Sequence, residues 1–295
     1  MANDSKGMQW ISHIFLAGFS LACLIPFVLL LVSSVSSESS IIQNGYSFFP
    51  EQFSFKAYEY LGSHWGELGR AYGITVFITV VGTAASLAMT SMLAYPMSRN
   101  DIPLKHFWAF LVFFTLLFNG GLVPSYLIYT QIFEIKNTIW ALIIPGLLMN
   151  GFNVLLMRTY FMTSVPPALI EAAQIDGAGE IKAFYRIVLP LSAPILATIG
   201  LFEAILYWND WFNGMTYVTD PELFSIQNIL NRIISDIQFL SNNSNLSSSA
   251  ASSAAELPST SVRMAIAVIG VLPILIAYPF FQKYFIKGIA IGAVK

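Results

Sequence analysis

What most restricts this chain is its supply of long apolar runs, each about 20 residues, the length a helix needs to cross the hydrocarbon core of a bilayer. About six stretches qualify: Ile11–Val32, Tyr72–Tyr95, Phe107–Tyr129, Ile139–Met157, Leu191–Phe212 and Val262–Phe281. In lipid the backbone N–H and C=O groups find no water, so a run of this kind closes its hydrogen bonds internally as a helix. Charged residues make up only 10% of the 295 residues and hydrophobic ones 56%. A soluble domain carries roughly 25% charge, and this chain has too little to cover a water-facing surface. The expectation is an all-α integral membrane protein, one transmembrane domain over residues 1–295. The first run resembles a signal peptide, but its apolar core is too long and the basic region before it too weak, so it reads as a retained anchor. The net charge of −2 excludes a strongly basic nucleic-acid binder. The single cysteine, Cys23, lies in an apolar run, with no disulfide partner and no metal-ligand spacing around it.

Lysines and arginines set the orientation. With the N-terminus in the cytoplasm, Lys6, Arg99, Lys105, Arg158, Lys182, Arg186, Lys283, Lys287 and Lys295 lie inside. Lys56, Arg70, Lys136, Arg232 and Arg263 lie outside. Both termini are therefore expected in the cytoplasm. Two long loops, 33–71 and 213–261, then face outward. The first begins serine-rich, Ser33–Ser40, and continues into the aromatic segment Tyr46–Trp65. The second carries Ser241–Ser253, rich in Ser, Asn and Ala, with too little apolar side chain to offset the entropy of ordering. Two Asn-x-Ser triplets within it match a glycosylation pattern by chance.

One inside segment, residues 164–190, is too organised to be a connector. Pro166 and Pro167 suit the first turn of a helix, where a missing N–H is not needed. Leu169–Ile175 are good helix formers, and Gly177 suits a left-handed stop. A second helix fits Glu180–Leu189, with Ile181, Phe184 and Val188 as an apolar stripe, and Pro190 closes it. Ala172, Ala173, Gly177 and Ala178 allow another surface to approach closely, and Glu171 and Asp176 offer it acceptors. On these grounds alone the segment either docks a partner or rests on lipid headgroups.

Glu171-Ala172-Ala173, Asp176-Gly177-Ala178, Phe184, Ile187 and Leu189-Pro190 resemble the EAA loop of binding-protein-dependent ABC importer permeases. The similarity extends over nearly the whole chain and is strongest to the carbohydrate-uptake (MalG-like) group, with its LplC/YtcP-type polysaccharide and oligosaccharide permeases. Phe118–Tyr126, Lys136–Trp140, Tyr207–Phe212 and Lys287–Lys295 carry that part of the resemblance. Ile289-Ala290 departs from the Leu-Thr usual in the tail of that group. The resemblance implies the type I importer permease fold, with residues 164–190 as a coupling helix that docks on a cytosolic ATPase. It also implies alternating access, a homologous second permease, two ABC ATPases, an external solute-binding protein and oligosaccharide cargo in a bacterial cytoplasmic membrane. ATP and magnesium would sit on the ATPases, with no cofactor on this chain.

Ionisable groups inside a span are costly and mark an interior or a wet cavity. The fifth stretch holds Glu203 and Asp210, and on one continuous helix Gly200, Glu203, Tyr207, Asp210 and Gly214 share a face. Sugars need hydrogen-bond partners and flat rings, and Glu203, Tyr207, Trp208, Asn209, Asp210 and Trp211 supply both. The alternatives are an interfacial aromatic belt and polar contacts to a partner permease. For Asn119, Asn150 and Asn153 the expectation is helix-to-helix hydrogen bonding, and the small run Gly82–Ala88 suits close helix packing. Met89, Met92 and Met97 read as packing.

No phosphate-binding Gly-x-x-x-x-Gly-Lys-Ser/Thr loop occurs. No nucleophile–base–orienter set accompanies the carboxylates, and His13, His64 and His106 are scattered, which argues against a hydrolase. The other class in play is an ion-coupled carrier using Glu203, which would have no need of the organised inside loop.

Overall fold

The computed structural model describes residues 6–63, 65–242 and 259–293. Residue His64, most of the Ser/Asn/Ala-rich loop and the last two residues of the tail lie outside that set. The described residues are helical, apart from turns and one isolated bridge between Ser36 and Phe53. They divide into two compact units, 1–68 with 230–273, and 69–229 with 274–295.

In the first unit the long helix α1, Lys6–Ser34, exposes its apolar surface all round, as a lipid-facing helix does. Two short helices follow, α2 at Glu38–Asn44 and α3 at Lys56–Ser63. The segment that follows α1 is tied down by Ser37 N–H to the Gln52 carbonyl at 3.0 Å and by Ser34 Oγ with Tyr58 OH at 2.8 Å. The last helix, Ser259–Ala293, begins against Glu38. That carboxylate accepts from Thr260 N–H at 2.9 Å, Ser261 N–H at 2.8 Å and the Ser261 hydroxyl at 3.0 Å. It meets the open amide donors of a helix N-terminus with a negative charge. Partial burial raises the pKa of Glu38, but these hydrogen bonds outweigh it and leave the pKa below its ordinary value.

In the second unit α4 runs for 34 residues, Trp65–Ser98. The third apolar stretch is broken: α5, Lys105–Leu117, ends at Phe118, and α6, Leu122–Leu127, continues through a π turn, Ile128–Ile132, after a bend of 112°. Gly121 stands at the break with φ of +85°, where a side chain would be strained. The fourth stretch is not the single helix expected over Ile139–Met157. Ile139–Leu142 is a 3-10 turn, Pro145 and Gly146 (φ +71°) interrupt the chain, and α7 runs from Gly151 to Ser164. Proline removes a donor and glycine favours a left-handed turn, so the apolar run cannot remain one helix. Asn150 caps α7, its Oδ1 accepting from Phe152 N–H at 2.8 Å, instead of bonding to another helix. The segment after α7 supplies α8, Pro167–Ile175, and α9, Glu180–Ala183, which runs on through a π turn, Phe184–Val188, into the single turn α10, Leu189–Leu191. After an 80° bend comes α11, Ala193–Asn209, and then α12, Phe212–Tyr217. The chain re-enters a helix at α13, Ile226–Asn242, so Ser241 and Asn242 are helical and not part of a loop. The final helix is α14.

Among the described residues two helices, α1 and α4, are long and apolar enough to cross a membrane; counting each bent pair as one span makes four, and α14 adds the apolar segment Thr260–Ile276.

Replacing Glu38 by Ala is expected to cost about 1 kcal/mol, the usual worth of a helix cap. Because the folded pKa is lowered, the contribution is present above the ordinary carboxylate pKa and is lost as pH falls through the lowered one. Thermal unfolding in detergent should therefore separate wild type from Glu38→Ala at pH 7 and bring them together in strong acid.

Candidate functional site

The segment 164–190 takes its shape from local chemistry. Pro166 is extended and Pro167 occupies the first position of α8. Gly177, at φ +79°, ends the helix, with Ala178 N–H bonding back to the Ala173 carbonyl at 2.8 Å. One side of α8 is anchored: Ile170 is buried with Phe161, Val165, Ala183 and Phe184. The other side is open. Glu171, Ala172, Asp176 and Gly177 are exposed, and Ala173 and Ala178 are half-buried. All six expected coupling residues thus stand together at one projecting turn. Ile175 is 87% exposed beside them. The expected stripe of the second helix is corrected: Phe184 and Val188 are buried, but Ile181 is 76% exposed, and Ala183 takes the inward place. The π turn at Phe184–Val188 shifts the side-chain register, which a regular 3.6-residue reading does not anticipate.

Sequence reasoning treated Glu180 only as a helix start. Its carboxylate is a junction: Tyr95 OH donates to Oε2 at 2.8 Å, Gln174 Nε2 to Oε1 at 2.5 Å, and the Arg99 guanidinium lies 3.4 Å from Oε1. Arg99 also grips Asp101 with two bonds, 2.8 and 2.7 Å, which holds that carboxyl below its usual pKa. Arg158 Nε donates to the Met97 carbonyl at 2.9 Å. A groove of about 330 Å³ lies between the Ser98–Asp101 turn and α8, with Glu171 and Gln174 on its wall. In the sequence Arg99 lies in the polar run Ser98–Asp101 and Glu180 two residues before Lys182, and no spacing signal pairs them.

The face expected in the fifth stretch is built differently. Helix α11 stops at Asn209 and Asp210 is extended, so Asp210 and Gly214 do not continue the face of Gly200, Glu203 and Tyr207. Asp210 Oδ1 instead accepts from Asn213 N–H at 3.3 Å, at the start of α12. Tyr207 is 0% exposed. Its OH donates to the Ile143 carbonyl at 2.9 Å, and its ring fills the space that Gly82 leaves open, where any side chain on α4 would overlap it. Glu203 is also 0% exposed and accepts from Asn153 Nδ2 at 2.6 Å, the expected helix-to-helix bond, between α7 and α11. Its other oxygen, with Ser86 beside it, has no well-formed hydrogen bond among the described residues. Trp208 is buried, tilted against Tyr72 at 6.3 Å. Asn209 and Trp211 are exposed, Asn209 Nδ2 bonding to the Ile205 carbonyl and Trp211 set edge-on to Phe212. The face therefore packs within the chain, while Asn209 and Trp211 face outward at the break between α11 and α12. At the other break Asn119 is exposed and its Oδ1 accepts from Gly121 N–H at 2.9 Å, a turn-making role in place of the helix bridging expected of it. Beyond the breaks, α6 and α12 meet through Tyr126 stacked on Tyr217 at 5.8 Å. Among the described residues no group of His, Cys, Asp or Glu is arranged to hold a metal.

Residues 5–291 match the family model described as binding-protein-dependent transport system inner membrane component. The chain belongs to that family. Among curated members it is 36% identical to protein LplC of Bacillus subtilis over 282 residues, 96% of this chain and 92% of that one. It is 35% identical to the polygalacturonan/rhamnogalacturonan transport system permease protein YtcP of the same organism, over 95% of this chain and 96% of that one. Among solved structures it matches a chain of a bacterial ABC transporter involved in the import of the acidic polysaccharide alginate. The TM-score is 0.79 at 30% identity, covering 97% of this chain and 99% of that one. The permease therefore has the all-α transmembrane fold of that importer chain.

The burial of Tyr207 gives its substitution a structural outcome. Tyr207→Ala is expected to cost about 3–5 kcal/mol through the cavity it leaves. Tyr207→Phe loses one hydrogen bond, about 1 kcal/mol. Yield and thermal stability of the purified subunit should rank wild type, Phe, Ala, in that order.

Proposed function

We propose that this permease, paired with a homologous second permease and two cytosolic ABC ATPases, imports an oligosaccharide or polysaccharide fragment by alternating access. An external solute-binding protein delivers the cargo, and ATP and magnesium are bound by the ATPases; this chain carries out no catalysis and binds no cofactor. The observation that carries the reading is the projecting turn of α8. It is held from behind by Ile170 and presents small residues with two exposed carboxylates, a shape made for insertion into a cleft. Glu171, Ala172, Ala173, Asp176, Gly177 and Ala178 are the docking residues. Acidic or neutral sugar polymers are the cargo class, because permeases named for polygalacturonan/rhamnogalacturonan and arabinooligosaccharide transport are similar along nearly their full length. In this reading the chain is multi-pass in a bacterial cytoplasmic membrane with both termini inside.

For the cargo path the candidates become the broken helices. Irregular backbone at membrane depth survives where it lines a wet cavity or is buried in protein. Asn119, Gly120, Asn209 and Trp211 are exposed at the two breaks and supply hydrogen-bonding groups and one ring face. Asp210 stands between them half-buried, with one oxygen unbonded among the described residues. Glu203, Tyr207 and Trp208 support this path from behind. An ion-coupled carrier is disfavoured because Glu203 is enclosed and already bonded to Asn153.

Gly177→Val tests the docking role. The space around Gly177 is open, but φ of +79° strains any β-branched residue there. The variant should insert in the membrane and lose ATPase association or cargo-stimulated hydrolysis; normal stimulation would remove the case for docking. Orientation is tested in a chain whose exposed Cys23 is replaced by Ser. Cysteine placed at Ser249 should react with an impermeant reagent on intact cells, and cysteine at Ser98 only after the membrane is opened. Labelling of both from outside would reverse or change the span assignment.

A further inference from the structure

The coupling helix α8 is connected to the membrane helices in two ways. Along the chain it leads through α9, the π turn Phe184–Val188 and α10 to an 80° bend at Ser192 before α11. A π turn and a sharp bend make a poor lever, because each is a place where the helix axis can give. Through space the connection is shorter. Gln174, in the last turn of α8, donates to Glu180 at 2.5 Å, and Tyr95, in the last turn of α4, donates to the same carboxylate at 2.8 Å. Arg99, just past the end of α4 and largely buried, faces Glu180 at 3.4 Å and is locked by its two bonds to Asp101. The Tyr95 ring lies 5.1 Å from that of Phe184, and Ala94, Met97, Ile170, Ala183 and Phe184 belong to one buried cluster beneath the junction.

We propose that Glu180 is a positioning residue that makes α8 and the inner end of α4 one rigid body, so that movement of the docked turn reaches α4 directly and bypasses the bend at Ser192. Helix α4 in turn holds α11, since the Tyr207 ring seats on Gly82 and Leu87 packs against Gly200. Displacement of α4 thus carries the buried Glu203–Tyr207 segment with it. This inference rests on the docking role assigned to α8. Its specific content is the route from α8 to α4 and the residue that closes it. A carboxylate suits the position because it accepts from three donors at once. An amide accepts from fewer and carries no charge for Arg99.

The test uses the complete transporter in proteoliposomes, with uptake of labelled oligogalacturonate or a neutral oligosaccharide, whichever the wild type imports. The reading is cargo imported per ATP hydrolysed, which loss of folded protein does not alter. Glu180→Ala should lower this ratio about ten-fold, the worth of one charge-assisted hydrogen bond. Basal ATP hydrolysis and co-purification with the ATPase should remain. Glu180→Gln, nearly isosteric, should fall between, and it carries the test should the Ala variant fail to fold. Adding Tyr95→Phe to Glu180→Ala should change nothing more, because both remove the same link. An unchanged ratio in both Glu180 variants, or additive losses with Tyr95→Phe, would overturn the proposal. Failure of the wild-type chain to bind an ATPase at all is a different result and would instead remove the docking role itself.

Discussion

A backbone placed in lipid can hydrogen-bond only to protein, and this requirement orders everything else in the permease. It makes the long apolar runs helical, and it limits where they can stop. Each interruption seen here comes with a local supply of bonds or of backbone freedom. Gly121 adopts a positive φ while Asn119 takes its N–H, Asn150 caps α7, and Asp210 receives the Asn213 amide at the start of α12. The interruptions are where polar groups concentrate, and therefore where a cargo of hydroxyl groups can be met.

The two ends of the machinery are built on opposite principles. At α8 and its Gly177 stop the polar side chains are exposed and the apolar ones hold from behind, which leaves the surface proposed to meet the ATPase open. Within α11, Glu203 and Tyr207 are enclosed. Glu203 and Tyr207 spend their bonding on Asn153 and the Ile143 carbonyl, linking α11 to the elements on either side. Gly82 and Gly200 let α4 and α11 approach closely, so the two helices are expected to move together.

Much of this was legible in the residues. The apolar lengths identified a membrane protein, and the Pro-Pro start and Gly177 stop placed α8 within a residue of its observed ends. What failed did so for a physical reason. Helical spacing assumed that α11 continued to Gly214, but a carboxylate at Asp210 prefers to cap the next helix. The stretch Ile139–Met157 looked uniform to a hydropathy window, which weighs Pro145 and Gly146 by transfer energy and ignores their backbone geometry. Ile181 was placed inward because a π turn changes the period without changing composition. Glu180 was passed over because a lone glutamate early in a helix is commonplace; only its meeting with Tyr95, Arg99 and Gln174 distinguishes it, and that is a property of the fold.

The docking proposed for α8 puts the turn ending at Gly177 inside a cleft of a cytosolic ATPase. Cysteine substituted for Ala178, in a chain lacking Cys23, can be joined to a thiol on the ATPase cleft by a short bifunctional reagent in the assembled transporter. The account predicts one permease–ATPase adduct whose yield changes between the nucleotide-free and ATP-bound complexes. Co-purification of the ATPase without any adduct from positions along 171–178 would contradict it.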